Sequence, residues 1–486
     1  MSIQLNSELI KPSSYINGQW HSGNGGSFKV SNPANGENIC SLQSATAQDA
    51  SAAVDAAVAA MPHWRALTAK QRAAILRRWY ELIMQHQDDL AALLTAEQGK
   101  PLAEAKGEIA YGANYIEWFG EEGKRIYGDT IPGAAPSSRV VIIKQGVGVV
   151  SAITPWNFPN AMITRKAAPA LAAGCAFIVK AASETPLSAL ALAELGEQAG
   201  IPAGIFNVLV SDQSRPIGEV LTGDPRIAKF SFTGSTEVGK VLLAQCASTV
   251  KKTSMELGGN APFIVFDDAN IDDAIQGALI SKFRNAGQTC VCTNRVFVQA
   301  GVYQEFAEKL SAAVSAMSLG DGNQAGVDIG PLINDDAATS VKALVDDAVK
   351  NGAKILVGGG IDEMGSRFFQ PTVLTNVTPE MEVATQEIFG PVAPLIKFDT
   401  EDQVIALAND TEVGLASYLY TRDIGRVWRV SEALEYGMVG INEGIISNEM
   451  APFGGVKQSG MGREGSKYGL EDYLEIKYLC MGGLDH

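Results

Sequence analysis

The sequence predicts an α/β protein built on doubly wound sheets. Strand and helix patterns alternate from Val147 to Cys246, and a second alternating series runs from Ala261 to about Asn442, which is typical of parallel sheets covered by helices. The chain has 486 residues, 46% hydrophobic and 19% charged, which is enough for two or three domains with their own cores. Ligands of such folds bind beyond the carboxyl ends of the strands, so functional residues are expected in the loops there.

The part of the chain before this alternation is predicted to be scaffold. Asn-Gly and Asn-Pro pairs in residues 13–43 separate short strands. An alanine-rich pattern then predicts a helix over 45–62 that ends at the proline, and Thr68 with Gln71 forms a capping box that begins the next helix. A further helix is predicted over 104–120.

The alternating region has element lengths typical of βαβ units. The predicted strand 147–153 is nearly all apolar, as expected for a parallel strand covered on both faces. In chain order the predicted elements are strands 139–143, 147–153 and 176–179, helix 186–198, strand 206–210, helix 215–221, strand 228–232 and helix 235–246.

The composition limits which kinds of binding partner and which cellular compartment are expected for this protein. The formal charge of -16 disfavours a nucleic-acid partner and an anionic membrane surface. Six scattered cysteines form neither a disulfide framework nor a paired metal motif, and none of the four histidines has a motif-like setting. The N-terminus lacks the features of a signal peptide, and no apolar run is long enough to span a bilayer. We therefore expect no metal and a cytoplasmic location.

The segment 281–293 combines an arginine, a glycine turn and two cysteines. A nucleophilic cysteine needs partial exposure and help in becoming a thiolate, and a glycine-containing turn after an apolar helix is expected to supply both. Cys290 is therefore a candidate nucleophile. The alternative is that Cys290 and Cys292 are ordinary small core residues, and this segment alone does not decide between the two.

Two segments at strand ends carry an amide and a carboxylate. Two prolines fix the loop 154–159 around Asn157, and an oxyanion site needs a rigidly held amide donor. Glu256 stands directly before Leu-Gly-Gly, where a carboxylate can act as a general base on water. The alternatives are a proline-rich turn whose asparagine satisfies its own backbone and a surface glutamate before a turn.

Two other strand ends have features of nucleotide sites. Lys180 leaves a buried strand, where its ammonium can meet ribose hydroxyls or a phosphate. The segment 232–239, Phe-Thr-Gly-Ser-Thr-Glu-Val-Gly, is a strand-to-helix junction with free N–H groups at the helix N-terminus, although it departs from the GxGxxG pattern. An exposed lysine that caps a strand and an ordinary tight turn are the alternatives.

Taken together and in this order, these segments resemble the NAD(P)-dependent aldehyde dehydrogenase superfamily. Glu387-Ile-Phe389-Gly-Pro391 and Pro452-Phe-Gly-Gly455 continue the family order, so that the resemblance spans roughly the whole chain. It implies an aldehyde dehydrogenase-like α/β fold, with a Rossmann-type cofactor domain, a second α/β catalytic domain and a small β oligomerisation arm.

The resemblance also implies domain boundaries and assembly. We expect the cofactor-binding domain over 1–125 and 147–258, the catalytic domain over 259–455, and the oligomerisation arm over 126–146 and 456–486. In relatives this arm extends a neighbour's sheet, because pairing hides the unpaired backbone of an edge strand. A homodimer or a homotetramer is therefore implied.

In this family Cys290 would attack the aldehyde carbon to form a thiohemiacetal. The side-chain amide of Asn157 and the backbone N–H of Cys290 would hold the oxyanion. Loss of hydride to the nicotinamide would leave a thioester, which water activated by Glu256 would hydrolyse.

A dinucleotide cofactor is implied across the first domain. NAD-preferring members often carry a glutamate at position 183, whereas Ser183 with Lys180 can accommodate a 2′-phosphate. We therefore expect NADP, with NAD tolerated. The other implied contacts are Trp156 near the pyrophosphate, Gly234 and Ser235 at the phosphates, Lys180 and Glu387 at the riboses, and Phe389 at the nicotinamide.

Within the superfamily, the segments around Arg165, Arg284 and Ser447 resemble those of bacterial succinate-semialdehyde dehydrogenases. They imply a clamp for the substrate carboxylate, which guanidinium matches well. Structural salt bridges are the alternative for each arginine. Glutarate semialdehyde or another short aldehyde is the alternative substrate, because one methylene changes binding by only about 1–3 kcal/mol.

Cys292 has two interpretations. It either packs as a small core residue or pairs reversibly with Cys290, as the same Cys-x-Cys does in some relatives. A disulfide across one intervening residue closes a tight ring and should be strained, and hence easily reduced.

Overall fold

The structure, a computed structural model, describes residues 5–485. Its buried apolar side chains form two large clusters. One contains residues between Leu9 and Leu257 together with part of the C-terminal tail, and the other contains residues between Ala261 and Phe453. Each cluster packs against one large sheet.

Helices cover both large sheets. In chain order they are α1 (Ala47–Ala66), α2 (Ala69–Gln85), α3 (Gln87–Gln98), α4 (Leu102–Glu122), α5 (Ala161–Ala172), α6 (Pro186–Ala199), α7 (Ser214–Gly223), α8 (Thr236–Cys246), α9 (Ile271–Phe283), α10 (Tyr303–Ser315), α11 (Asp335–Lys350), α12 (Glu382–Thr385), α13 (Glu401–Asn409), α14 (Ile424–Ala433) and α15 (Ser466–Glu471).

The strands are mostly three to eight residues long. They are β1 (Ser14–Ile16), β2 (Gln19–His21), β3 (Ser27–Ser31), β4 (Asn38–Gln43), β5 (Asp129–Pro132), β6 (Arg139–Gly146), β7 (Val149–Ile153), β8 (Ala176–Lys180), β9 (Phe206–Leu209), β10 (Ile227–Thr233), β11 (Lys252–Glu256), β12 (Ala261–Val265), β13 (Thr293–Gln299), β14 (Lys354–Val357), β15 (Thr372–Thr375), β16 (Val392–Phe398), β17 (Val413–Gly414), β18 (Ala416–Tyr420), β19 (Met438–Ile441), β20 (Val456–Lys457), β21 (Gly460–Met461) and β22 (Leu474–Met481).

The first sheet has the order β2-β1-β9-β8-β7-β10-β11-β21. Strands β9, β8, β7, β10 and β11 are parallel, and β1 and β21 join them in antiparallel pairing. The chain moves outward from β7 through β8 to β9 and then returns to the other side of β7 with β10. This topological switch point lies between β7 and β10, where a ligand crevice is expected.

The second sheet has the order β14-β15-β16-β13-β12-β18-β19 and is parallel except at β14. A separate antiparallel sheet joins β5, β6 and β22, so that the tail pairs with the segment before β7. These sheets confirm the predicted α/β class. Within residues 5–485, no helix combines the length and the apolar character needed to cross a bilayer.

Two local predictions at the start of the chain have different outcomes. The capping box is present: the Thr68 side chain accepts from the Gln71 backbone, and the Gln71 side chain accepts from the Thr68 backbone. The predicted helix end at Pro62 is wrong, because α1 continues to Ala66. Trp64 explains the extension: it is fully buried, and its indole N–H donates to the carbonyl of Leu171 at 3.0 Å.

Candidate active site

Cys290 lies at the junction of two neighbouring cavities of about 280 and 230 Å³. Its side chain and that of Met162 line both. The larger cavity is also lined by Lys100, Glu104, Gly107, Glu108, Tyr111, Phe158, Arg165, Arg284, Thr289, Val291, Ile445, Ser447 and Phe453. The smaller cavity is also lined by Pro155, Trp156, Asn157, Thr233, Gly234, Ser235, Glu256, Leu257, Gly258, Glu387 and Phe389.

The two sheets contribute to this junction from opposite strand ends. The loops after β7 and β10 carry Asn157 and Ser235, and Glu256 ends β11, so the first sheet contributes its carboxyl edge. Cys290 precedes β13 and Glu387 precedes β16, so the second sheet contributes amino ends of strands. The expectation that all functional loops lie at carboxyl ends is therefore wrong for these two residues. The rule describes one open sheet, whereas this site lies between two.

A tight left-handed turn leads into the segment that carries Cys290. α9 ends at Phe283, and then Asn285, Ala286 and Gly287 have φ values of 54°, 54° and 76°. Glycine is required at the third position, since a Cβ on Gly287 would lie 2.2 Å from the carbonyl oxygen of Gly390. Surrounding structure must hold such a turn, because left-handed backbone is unfavourable for alanine.

Cys290 is half-buried, but its surroundings do not favour the thiolate. Burial raises the pKa of its thiol to about 12, an effect that the Arg165 guanidinium opposes and the carboxylates of Glu387 and Glu256 reinforce. The expected help in ionising the thiol is therefore missing from the structure. Desolvation outweighs the effect of the Arg165 guanidinium, so ionisation must be coupled to proton acceptance by a base or to ligand binding.

Asn157 is held in place through both its side chain and its backbone. Its side-chain Nδ2 donates to the backbone carbonyl of Gln288 at 2.9 Å, and its backbone carbonyl accepts from Lys100 Nζ at 2.8 Å and from Asn285 Nδ2 at 3.0 Å. An amide nitrogen carries two hydrogens, so one N–H remains for a ligand. The loop of Asn157 and the loop of the nucleophile are thus fixed to each other.

Lys100 and Glu108 are residues that the sequence reasoning missed. Both are buried, with Lys100 Nζ donating to Glu108 Oε2 at 2.6 Å. The other carboxylate oxygen accepts the backbone N–H groups of Asn160 at 3.0 Å and Ala161 at 3.3 Å, at the start of α5. This ion pair therefore supports the Asn157 loop. A lysine and a glutamate eight residues apart form no recognisable motif, so the sequence holds no specific signal for the pair.

Glu256 is buried at the wall of the smaller cavity. Neither of its carboxylate oxygens has a hydrogen-bond partner among the described residues. Burial and the neighbouring Glu464 raise its pKa well above the usual value, against the opposing effect of Arg165 and Lys166. Although burial alone would raise the pKa of Glu464, its ion pairs with those two cations hold it below the usual value. Glu256 therefore has the features of a general base.

The smaller cavity is lined by the candidate catalytic residues and by five of the predicted cofactor contacts. These five contacts are Trp156, Gly234, Ser235, Glu387 and Phe389. The rings of Trp156 and Phe389 meet edge to face with centroids 5.7 Å apart. Ser235 caps α8 through a bond from the Val238 N–H. Burial raises the pKa of Glu387 to about 7, while one of its oxygens accepts the Gly259 N–H at 3.2 Å.

Lys180 and Ser183 are not among the residues that line this cavity. Lys180 ends β8 beside Ile153 of β7, one strand further along the same edge. Its Nζ donates to Ser214 Oγ at 2.8 Å, and burial lowers its pKa to about 8. The Ser183 hydroxyl donates to Glu184 at 3.0 Å. Both side chains therefore lie at the carboxyl edge of the first sheet, away from Cys290.

The residues along this edge fit a dinucleotide. Gly258 keeps the wall of the smaller cavity open, since a Cβ there would lie 2.9 Å from a Glu387 oxygen and 3.2 Å from the Thr236 hydroxyl. The N-terminus of α8 leaves backbone N–H groups without intrahelical acceptors, a setting suited to phosphate.

Among residues 5–485, no group of three or more histidine, cysteine, aspartate or glutamate side chains could hold a metal ion.

The larger cavity contains Arg165, Arg284 and Ser447 together. Arg284 makes no ion pair within the described part of the chain, and its guanidinium carbon lies 5.4 Å from the ring centroid of Phe158. Arg165 is ion-paired with Glu464, as the structural alternative predicts, yet its Nη2 has no partner among the described residues. Guanidinium groups are therefore still available to an anion.

Cys292 is buried and lines neither cavity. Its thiol donates to the carbonyl of Lys282 at 3.1 Å, and both Cys290 and Cys292 are free thiols. Burial raises the pKa of Cys292, and the Lys282 ammonium opposes that effect. The two cysteines thus have different surroundings although one residue separates them.

A thiol between a nucleotide crevice and a cationic cavity, with a fixed amide and a buried carboxylate beside it, is an arrangement suited to aldehyde oxidation. The model of the aldehyde dehydrogenase family matches residues 20–479, and the chain belongs to that family. The resemblance stated from the sequence is confirmed.

Two relatives and one solved structure are similar to this chain over nearly its whole length. The chain is 61% identical to the succinate-semialdehyde dehydrogenase [NADP(+)] GabD of Escherichia coli, covering 98% of this chain and 99% of that protein. It is 59% identical to a glutarate-semialdehyde dehydrogenase of Pseudomonas aeruginosa, over 98% and 99% of the two chains. A crystal structure of an E. coli NADP-dependent enzyme matches with a TM-score of 0.97 at 61% identity, over 98% and 99%.

Proposed function

We propose that this enzyme oxidises succinate semialdehyde to succinate and uses NADP as the hydride acceptor. The observation that carries the proposal is the cavity beside Cys290, which Arg284 lines without an ion-pair partner among residues 5–485. The similarity to the E. coli succinate-semialdehyde dehydrogenase [NADP(+)] supports the proposal, whereas the similarity to the P. aeruginosa glutarate-semialdehyde dehydrogenase supports the alternative substrate. Glutarate semialdehyde is the alternative substrate, because a cavity of about 280 Å³ accommodates another methylene and hydrophobic discrimination of one methylene is only about 1–3 kcal/mol.

The first chemical step uses three groups of this chain. The Cys290 sulfur attacks the aldehyde carbon, and its proton passes to a base as the C–S bond forms. Solvent accepts that proton, so that Glu256, which lines the same cavity and has a raised pKa, remains the base of the second step. The free N–H of Asn157 Nδ2 and the Cys290 backbone N–H hold the oxyanion of the thiohemiacetal.

The second step releases the acid. Lys180, Ser183, Ser235, Glu387 and Phe389 would hold the dinucleotide, which would supply the hydride acceptor. Loss of hydride would convert the Cys290 thiohemiacetal to a thioester. Ionised Glu256 then takes a proton from water, whose oxygen attacks the thioester carbon, and the Cys290 sulfur leaves.

Replacing Arg284 with alanine should reduce turnover of the anionic substrate selectively. We expect kcat/KM for succinate semialdehyde to fall about 100-fold, because a charge-assisted contact to a desolvated carboxylate is lost. Turnover of propanal should change by less than about threefold, since it has no charge to bind. Arg429→Ala, which removes an exposed arginine paired with Glu401, is the matched control. Equal losses on both aldehydes would reject the clamp.

Replacing Ser183 with glutamate should reverse the cofactor preference. A carboxylate at this position repels a 2′-phosphate and hydrogen-bonds a ribose hydroxyl, so kcat/KM with NADP should fall at least about tenfold while that with NAD is retained. Ser183→Ala separates the loss of the hydroxyl from the gain of charge. Steady-state rates with both cofactors measure the ratio. A wild-type enzyme that uses NAD as well as or better than NADP would contradict the NADP proposal.

A reversible Cys290–Cys292 disulfide is a further proposal for this site. Its support is the proximity of two free thiols in sequence; against it, Cys292 must leave its buried contact with Lys282. Treatment with peroxide should then remove activity that a dithiol restores, and Cys292→Ala should show irreversible loss instead. Identical, irreversible inactivation of both proteins would leave Cys292 as a packing residue.

We also propose a homodimer or homotetramer that forms through the arm 126–146 and 456–486, and domain boundaries at 146/147 and 258/259. Support comes from the edge strands β5 and β22 and from exposed apolar side chains on β22, which are Ile476, Tyr478, Leu479 and Met481. The two separate cores support the boundary at 258/259.

Six free thiols support the proposal that the protein works in a reducing, cytoplasmic compartment.

A further inference from the structure

Two tyrosines on α4 link the cationic cavity to the loop that carries Ser447. Tyr111 and Tyr115 are four residues apart and therefore share one face of the helix. Their hydroxyl oxygens are 3.0 Å apart, and their rings meet edge to face with centroids separated by 5.1 Å. Tyr111 lines the larger cavity, whereas Tyr115 is fully buried.

The hydrogen bonds of this pair run in one direction. The Tyr115 hydroxyl donates to the backbone carbonyl of Asn448 at 3.2 Å. A hydroxyl has one proton, so Tyr115 must accept from Tyr111. The Tyr111 proton is thereby used, and its oxygen accepts from Nη1 of Arg165 at 3.5 Å. A directed chain therefore leads from the Arg165 guanidinium to the residue next to Ser447.

Packing fixes the two ends of this chain. The Arg165 guanidinium carbon lies 4.0 Å from the ring centroid of Phe453 and 5.6 Å from that of Tyr115. The residues from 445 to 448 belong to no helix or strand, so their position depends on such contacts. The Tyr115 hydroxyl joins this loop directly to α4.

We propose that Tyr115 is a positioning residue for anion binding. Through Tyr111 and the carbonyl of Asn448, it sets the distance between the Arg165 guanidinium and the Ser447 hydroxyl so that both reach one anionic head group. The inference rests on the proposed function, because it concerns the same anion clamp. The Tyr115 hydroxyl is buried, donates to a backbone carbonyl and does not line the cavity, so its contribution belongs to binding of the anion and not to the chemistry at Cys290.

The test is Tyr115→Phe, which keeps the ring and removes the hydroxyl. We expect KM for succinate semialdehyde to rise about tenfold, the effect of one hydrogen bond that leaves a buried carbonyl without its donor. Its kcat, and both constants for butanal, should stay within about twofold, which also shows that the variant folds. Tyr303→Phe, which removes a hydroxyl bonded to the carbonyl of Leu395 at 3.3 Å, is the matched control.

A double-mutant cycle with Ser447→Ala separates positioning from general stability. If Tyr115 acts through the Ser447 loop, adding Tyr115→Phe to Ser447→Ala should raise KM by no more than about twofold. An unchanged KM in Tyr115→Phe, equal losses on both aldehydes, or full additivity would overturn the inference. So would an unchanged KM in Tyr111→Phe, because that variant breaks the same chain of hydrogen bonds. A wild-type enzyme without preference for the semialdehyde over butanal would instead reject the proposed function.

Discussion

The Cys290→Ala protein is expected to lose on the order of 10⁴-fold or more of its kcat/KM, because without the sulfur no covalent intermediate can form. The loss should apply to anionic and uncharged aldehydes alike, since both depend on the same attack. Reduction of NADP followed at 340 nm measures it. Cys480→Ala, which removes an exposed thiol on β22, is the control and should keep full activity.

Retention of more than about a tenth of the activity by Cys290→Ala would contradict a covalent mechanism. Binding of the cofactor provides a second readout that does not depend on turnover. The variant should bind NADP as tightly as the wild type, because the residues at the carboxyl edge of the first sheet are unchanged. A loss of both binding and turnover would point to misfolding.

The Glu256→Gln protein is expected to form the thioester and then release it slowly. Glutamine has the shape of glutamate but cannot accept a proton from water, so hydrolysis should fall about 10²–10⁴-fold. A rapid-mixing experiment should show a burst of about one equivalent of reduced cofactor per Cys290. The steady rate that follows should be slow, and intact-protein mass should reveal the acyl adduct on the enzyme.

The role of Glu256 also predicts how the rate of thioester hydrolysis depends on pH. Because the pKa of Glu256 is raised, the ionised form that acts as base becomes populated only as pH rises through that raised value. Hydrolysis in the wild type should therefore increase with pH across this range, and Glu256→Gln should lack the increase. A slow steady rate without a burst would show that Glu256 is needed before the thioester forms.

The fold could be predicted from the sequence because its signals are local. Apolar runs bounded by turn residues predicted strands such as 176–179 and 206–210, which agree with β8 and β9 to within one residue. The end of α1 could not be predicted. A proline normally stops a helix, but here the burial of Trp64 against α5 extends α1 beyond Pro62. That burial involves Leu171, which lies 107 positions further along the chain.

The candidate site was predictable in its residue types and order. Asn157, Glu256 and Cys290 come from three distant segments and line one cavity in the structure. Their electrostatics could not be predicted, since the high pKa of the Cys290 thiol follows from burial in the assembled fold. The carboxylate of Glu464, which raises the pKa of Glu256, belongs to a tail segment that showed no motif.

The most direct test of the whole account is the ratio of kcat/KM for succinate semialdehyde to that for butanal, measured on the wild-type enzyme with NADP. Both aldehydes have four carbons, so the ratio reports the terminal carboxylate alone. Two guanidinium groups and a hydroxyl in the cavity beside Cys290 predict a ratio of at least about 100 in favour of the semialdehyde. A ratio near one, or a preference for butanal, would contradict the proposed anion clamp.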